Sequence, residues 1–122
     1  MENQFSRTEM LVGKDAVERL KGSKVAVFGV GGVGGYAVEV LARSGVGNID
    51  VFDADTVNVT NLNRQVIALH STLEQAKVDV IEKRIYDINP TCVVGKYKMF
   101  YLPENADVVD LKQYDYVVDC ID

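Results

Sequence analysis

The sequence predicts an α/β fold organised around a mostly parallel sheet. Three features carry that expectation. Short apolar segments recur at residues 24–28, 49–52, 92–97 and 116–120, with helical stretches between most of them, the alternation of a sheet covered by helices. The first segment, Lys24-Val-Ala-Val-Phe28, is almost continuously apolar, as in a strand buried on both faces. The run Gly29-Val-Gly-Gly-Val-Gly-Gly35 follows that strand directly. It opens a strand–turn–helix–strand unit with a right-handed crossover.

The elements follow in order. Residues 10–21 are expected to form a helix with Leu11, Val17 and Leu20 on its apolar side, stopped by Gly22. Residues 24–28 are the first strand and residues 29–32 the turn. A helix is expected over 33–44, with Ala37, Val40 and Leu41 facing inward and Gly45 and Gly47 ending it. The second strand, residues 49–52, closes at Asp53. A polar loop over 55–60 leads to a short helix near 61–69. The next helix has the clearest period: Val78, Ile81, Ile85 and Ile88 are spaced 3, 4 and 3 apart, which is one helical face. Ser71-Thr72 is expected to cap its start, and Asn89-Pro90 ends it. Residues 92–97 are the third strand, 103–111 a turn and short helix, and 116–120 the fourth strand. Together these describe a Rossmann-like, three-layer fold. Ligands of such sheets lie outside the carboxyl ends of the strands, and Gly29, Asp53 and Asp122 all fall there.

The 122 residues suit one domain with a real core. They carry 13 basic and 18 acidic side chains, net −5, which argues against a broad nucleic-acid surface on this segment. No apolar run is long enough for a membrane span, and the polar start has no signal-peptide core. Two cysteines, Cys92 and Cys120, suggest reduced thiols rather than a disulfide framework, so a cytoplasmic location is the default expectation. The sequence ends at a strand end, where a sheet of this type needs another covering helix. Residues 1–122 are therefore expected to be the N-terminal part of a longer protein, truncated after the fourth strand.

Gly29, Gly31 and Gly34 spell G-x-G-x-x-G. The first permits the tight turn, the second lets phosphate approach the backbone, and the third lets helix and strand pack closely. Helix-start amides then face an anion. Asp53, 19 residues beyond Gly34, fits hydrogen bonds to ribose hydroxyls. To this point NAD and ATP are served equally. Asn61-Leu-Asn-Arg64-Gln65 and Lys77 decide between them. A triphosphate needs cations at its β and γ positions; Arg64 grips oxygens as a fork and Lys77 acts as a point charge. Asp122 is placed to hold a hard cation such as Mg²⁺ between phosphates.

Several residues read as structural. Asp55 reads as a solvated loop carboxylate, and Cys120 as a core thiol in an apolar strand. His70, the single histidine, lacks partners for a metal site. Tyr97, Phe100 and Tyr101 beside Lys96 and Lys98 read first as a packed strand edge; contact with RNA is the lesser alternative for such a mix.

Gly29-Val-Gly-Gly-Val-Gly34, Asp53-Ala-Asp55, Asn61-x-x-Arg64-Gln65, Lys77, Ile88-Asn-Pro90 and Asp119-Cys-Ile-Asp122 resemble the ThiF/MoeB/HesA superfamily of adenylating enzymes, relatives of ubiquitin activators. The resemblance runs from Arg7 to Asp122. Phe5-Ser-Arg7, Leu11-x-Gly13, Ala42-Arg-Ser-Gly-Val-Gly47 and Asn63-Arg-Gln-x-x-Ala-Leu-His70 look most like its tRNA threonylcarbamoyladenosine dehydratase branch. That resemblance implies an ATP-dependent adenylation of a carboxylate, cyclising a modified adenosine in tRNA. Gly29, Gly31, Gly32 and Gly34 would line the nucleotide and Asp53 would bind ribose. Asn61, Arg64 and Lys77 would contact phosphates, and Asp122 would coordinate Mg²⁺. Arg7 would reach the triphosphate of a partner subunit, implying a homodimer. Three other readings compete: adenylation of a ubiquitin-like sulfur-carrier protein, with a carrier or cysteine-desulfurase partner; an NAD-dependent oxidoreductase domain; and a scaffold without turnover. Residues 1–122 alone are expected to bind nucleotide poorly and to be inactive.

Overall fold

The structure, a computed structural model, describes residues 2–122. Four strands, β1 (Lys24–Phe28), β2 (Asn48–Phe52), β3 (Val93–Tyr97) and β4 (Tyr116–Asp119), form one sheet in the order β3-β2-β1-β4. All three pairings are parallel. The chain starts at the centre, winds out to β3, then crosses back to lay β4 against the other side of β1. The strand order reverses at β1, which opens a crevice above β1 and β4.

Among the described residues four α-helices accompany the sheet: α1 (Ser6–Val12), α2 (Lys14–Gly22), α3 (Gly32–Ser44) and α4 (Lys77–Ile88). Helices α3 and α4 cover one face. Val38 and Ala42 of α3 and Val78, Ile81 and Ile85 of α4 close over Val25, Val27, Ile49 and Val51. Burial contributes roughly 1.5–3 kcal/mol for each large apolar side chain. The anticipated period of α4 is the one observed, with Ile88 at its partly buried margin.

The opposite face is covered by the crossover between β3 and β4. Met99, Tyr101 and Val109 pack on Ala26, Phe28, Phe52 and Tyr114. This third layer is irregular chain with two 3-10 turns, Ala106–Val108 and Leu111–Gln113, rather than the short helix expected over 103–111. Polar links around Asp50 and Lys24 fasten it. The Tyr114 hydroxyl donates to Asp50 Oδ2 at 2.6 Å, and Lys24 Nζ lies 3.9 Å from that oxygen. Lys24 also donates to Gln113 Oε1 at 2.7 Å.

Other expectations need correction. The helix anticipated over 10–21 is two helices, because Gly13 adopts φ 89°, ψ 163° and breaks the helical path. Leu11 is consequently 89% exposed, whereas Val17 is buried. On α3 the fully buried residues are Gly34, Gly35, Val38 and Ala42; Leu41 packs at the core margin as expected, but Val40 is 62% exposed. Residues 61–69 form no α-helix. A 3-10 turn, Val59–Asn61, is followed by further turns. Thr60 N donates to Asn58 Oδ1 and Asn58 N to Asn61 Oδ1, side-chain bonds that compete with helical ones. Ser71-Thr72 lie in the 3-10 turn His70–Thr72, and α4 starts at Lys77 with Ala76 before it and no side-chain cap.

Candidate nucleotide site

A cleft of about 870 Å³ opens above the carboxyl ends of the sheet, bordered by the glycine turn, Asp53, Asn61, Arg64, Lys77 and Asp122. The glycine turn sets its floor. Gly29 has φ 90°, and a Cβ there would lie 2.6 Å from the Cys120 carbonyl oxygen. A Cβ on Gly34 would overlap the Gly29 carbonyl oxygen, so α3 sits hard against the turn. Gly31 precedes α3 and supplies no capping side chain. The first-turn N–H groups, beginning at Gly32, are therefore left for water or an anion.

Asp53 braces this turn from β2. Its Oδ2 accepts from Val30 N at 2.9 Å and its Oδ1 from Asp55 N at 2.8 Å. Each oxygen keeps a lone pair for a ligand hydroxyl. Lys77 N donates to the Asp55 carbonyl at 3.0 Å, which fixes the start of α4 beside the same loop. The Lys77 side chain is 5% exposed and has no carboxylate within 4.0 Å among the described residues. A buried ammonium without a counter-charge is costly, so the arrangement suits an anionic ligand. Arg64 is exposed and its Nη1 donates to the Thr60 carbonyl (3.2 Å) and Asn63 Oδ1 (2.9 Å). These neutral contacts aim the guanidinium without neutralising it. Asn61 is buried, and its carboxamide oxygen serves the Asn58 loop.

Asp122 stands on the β4 side, near Asp119, whose Oδ1 accepts from Ile121 N. The described residues contain no group of three His, Cys, Asp or Glu side chains suited to a metal ion. Mg²⁺ commonly uses one or two carboxylates and takes its other ligands from water and substrate phosphates, so the donor set fits that ion alongside a bound polyphosphate.

Some lining residues are given no part in nucleotide binding by the sequence. Gln65 is 7% exposed, and its Oε1 is buried without a partner, an acceptor awaiting a donor. The far wall is apolar, made by Phe28, Phe52, Met99, Tyr101 and Leu102. Phe28 and Phe52 stack with centroids 4.3 Å apart, and Tyr101 lies 4.6 Å from Phe28. The cleft thus has a cationic wall facing an aromatic wall, which matches the two halves of a nucleoside polyphosphate. Cys120 also borders it; burial, then the Asp119 charge, push its thiol up, away from the reactive thiolate.

Arg7 does not border the cleft. Helix α1 is fixed at the other end of the sheet, where Phe5 packs on Gly45 after α3 and Gln4 Nε2 donates to the Ile88 carbonyl at 2.9 Å. His70 lies in its exposed 3-10 turn outside the cleft lining.

The ThiF family pattern matches residues 5–122. A tRNA threonylcarbamoyladenosine dehydratase from Bacillus subtilis (strain 168) is 53% identical over 122 residues, covering 100% of this chain and 48% of that protein. A sulfur carrier protein adenylyltransferase from Thermus thermophilus is 39% identical over 91% of this chain and 41% of its own length. The solved structure of E. coli tRNA N6-threonylcarbamoyladenosine dehydratase in complex with AMP superposes with a TM-score of 0.94 at 41% identity, over 98% of this chain and 48% of that one. The chain spans about half the length of these relatives. The glycine turn, the strand order and the pattern match together show that the chain belongs to the ThiF family.

Proposed function

We propose that this chain is the nucleotide-binding part of an enzyme that uses ATP to adenylate a carboxylate, and that the carboxylate is that of threonylcarbamoyladenosine in tRNA. The observation that carries this reading is the convergence of Arg64, Lys77 and Asp122 on one cleft beside the glycine turn. The E. coli relative has been solved with ATP as well as AMP.

The chemistry explains the cations. A carboxylate oxygen attacks the α-phosphorus, the bond to the bridging oxygen breaks, and pyrophosphate leaves. Both reactants are anionic, so Arg64 and Lys77 lower their repulsion and hold the departing charge. An arginine acting on such charge is worth roughly 10³ or more in rate in other phosphoryl-transfer systems. Asp53 orients the ribose and Asn61 supports the phosphates. Mg²⁺ on Asp122 would add charge neutralisation between phosphates. A nitrogen or oxygen of the same modification then attacks the acyl carbon. AMP leaves carrying the carboxylate oxygen, a proton is lost, and the net change is loss of water with ring closure. Cys120 has no part in this sequence.

Arg7, held at the far end of its own sheet, would act on the triphosphate of a second copy, which makes the working enzyme a homodimer. We place it in the cytoplasm. The Thermus relative supports a second reading, adenylation of a sulfur-carrier C-terminus. Pyrophosphate exchange by the intact protein separates the two: threonylcarbamoyladenosine-bearing tRNA should drive exchange and a carrier protein should not. Exchange with the carrier alone would replace the first reading by the second.

A further inference from the structure

We propose that the exposed end of the ring stack, Tyr97 with Lys98 beside it, is a docking platform for unstacked bases of a single-stranded RNA loop. The inference rests on the tRNA reading above and adds the surface that receives the RNA.

Phe28, Phe52 and Tyr97 end β1, β2 and β3 and are register partners. Parallel strands in register send these side chains to the same face, so the rings form one row. Phe52 and Tyr97 lie 4.6 Å apart at 11°, continuing the Phe28–Phe52 stack at 14°. Phe28 and Phe52 are buried, whereas Tyr97 is 44% exposed. The row stops there because β3 is an edge strand of the sheet. A ring held by buried rings behind it is a rigid surface on which a base continues the stack. Base–aromatic stacking is worth about 1–3 kcal/mol per base and tolerates sequence.

Charge singles out the same spot. Lys96 is neutralised by Asp79 at 2.9 Å and Glu82 at 3.0 Å. Lys98 is exposed and forms no ion pair among the described residues, which leaves it for a backbone phosphate. With a net charge of −5 the chain offers little general attraction to RNA, so local stacking has to supply the affinity. Phe100, 55% exposed, lies three residues on and lines the nucleotide cleft. The platform therefore runs into the site where the base's carboxylate arm would be activated.

The test uses the intact protein and a fluorescent anticodon stem-loop carrying threonylcarbamoyladenosine, with RNA affinity read by anisotropy and ATP affinity by calorimetry. Tyr97→Ala should weaken RNA binding roughly 5- to 150-fold, and Tyr97→Phe should restore it. Lys98→Gln should lower the slope of log affinity against log salt by about 0.7. Neither residue lines the cleft, so ATP affinity should stay within about twofold. Should Tyr97→Ala fail to fold, Tyr97→Phe and Lys98→Gln decide, the first binding RNA like wild type and the second with the reduced slope. Wild-type RNA affinity in Tyr97→Ala, or an unchanged slope in Lys98→Gln, overturns the platform and leaves the tRNA reading standing. Absence of RNA binding by wild type, with carrier-driven exchange instead, overturns both.

Discussion

The two faces of the sheet are built differently. The face under α3 and α4 is closed by aliphatic side chains on regular helices, with Val27, Val38, Ile49, Ile81 and Ile85 all buried. The other face is closed by irregular chain, a few rings and one buried hydrogen bond between Tyr114 and Asp50. Each face supplies one wall of the cleft. On the helical side a loop brings Arg64 and Gln65 and the start of α4 brings Lys77, and the crossover brings Met99, Tyr101 and Leu102. Rigid packing therefore underlies the charged wall, where the proposed adenylation would need fixed positions. The wall suited to a flat base rests on a layer held at fewer points.

Mutation of each face should separate them. Ile81→Ala on the helical face removes a fully buried side chain and should destabilise by about 2–5 kcal/mol, read as the shift in urea midpoint. Tyr114→Phe on the crossover face should cost less, about 1.5–3 kcal/mol for a hydrogen bond to a charged acceptor. It should also change the pH profile. Burial, then the Asp50 hydrogen bond, raise the Tyr114 hydroxyl well above its ordinary value of 10.0. A raised folded-state value means stability that is present below pH 10 and lost as pH rises beyond it. Wild type should lose stability on that alkaline side, and Tyr114→Phe should lose less. Equal alkaline slopes would remove the buried link from the account of this face.

The same contrast explains what was legible in the sequence. Strand β1 and helix α4 follow from composition and period, because β1 is almost continuously apolar and α4 repeats on one face; β2 is legible from Ile49, Val51 and Phe52 despite the buried Asp50. Lys77 and Asp122 stand beside the ends of α4 and β4, whereas Arg64 joined them through its charge and the Asn61-x-x-Arg64-Gln65 motif rather than through its local structure. The first helix was misjudged because Leu11 continues an apolar pattern that Gly13 interrupts in three dimensions. Val40 was misplaced because α3 approaches the turn through Gly34 and Gly35, and small residues carry no hydrophobic signal. The 61–69 segment has helix-like apolar spacing, but Asn58 and Asn61 bond the local backbone instead. The Phe28–Phe52 stack of the aromatic wall was out of reach, since it depends on cross-strand register. Gln65 belonged to a quoted motif, yet nothing local marks its oxygen as buried and unpartnered.

The central claim is that three charged side chains from separate segments meet one polyphosphate. Calorimetry on the intact protein with ATP and with NAD tests it most directly, in wild type and in Arg64→Ala. We predict ATP binding by wild type, no NAD binding, and ATP affinity about 10- to 150-fold weaker in the variant, the loss of charge-assisted hydrogen bonds. Binding of NAD without ATP, or an Arg64→Ala protein that binds ATP as wild type does, would contradict it.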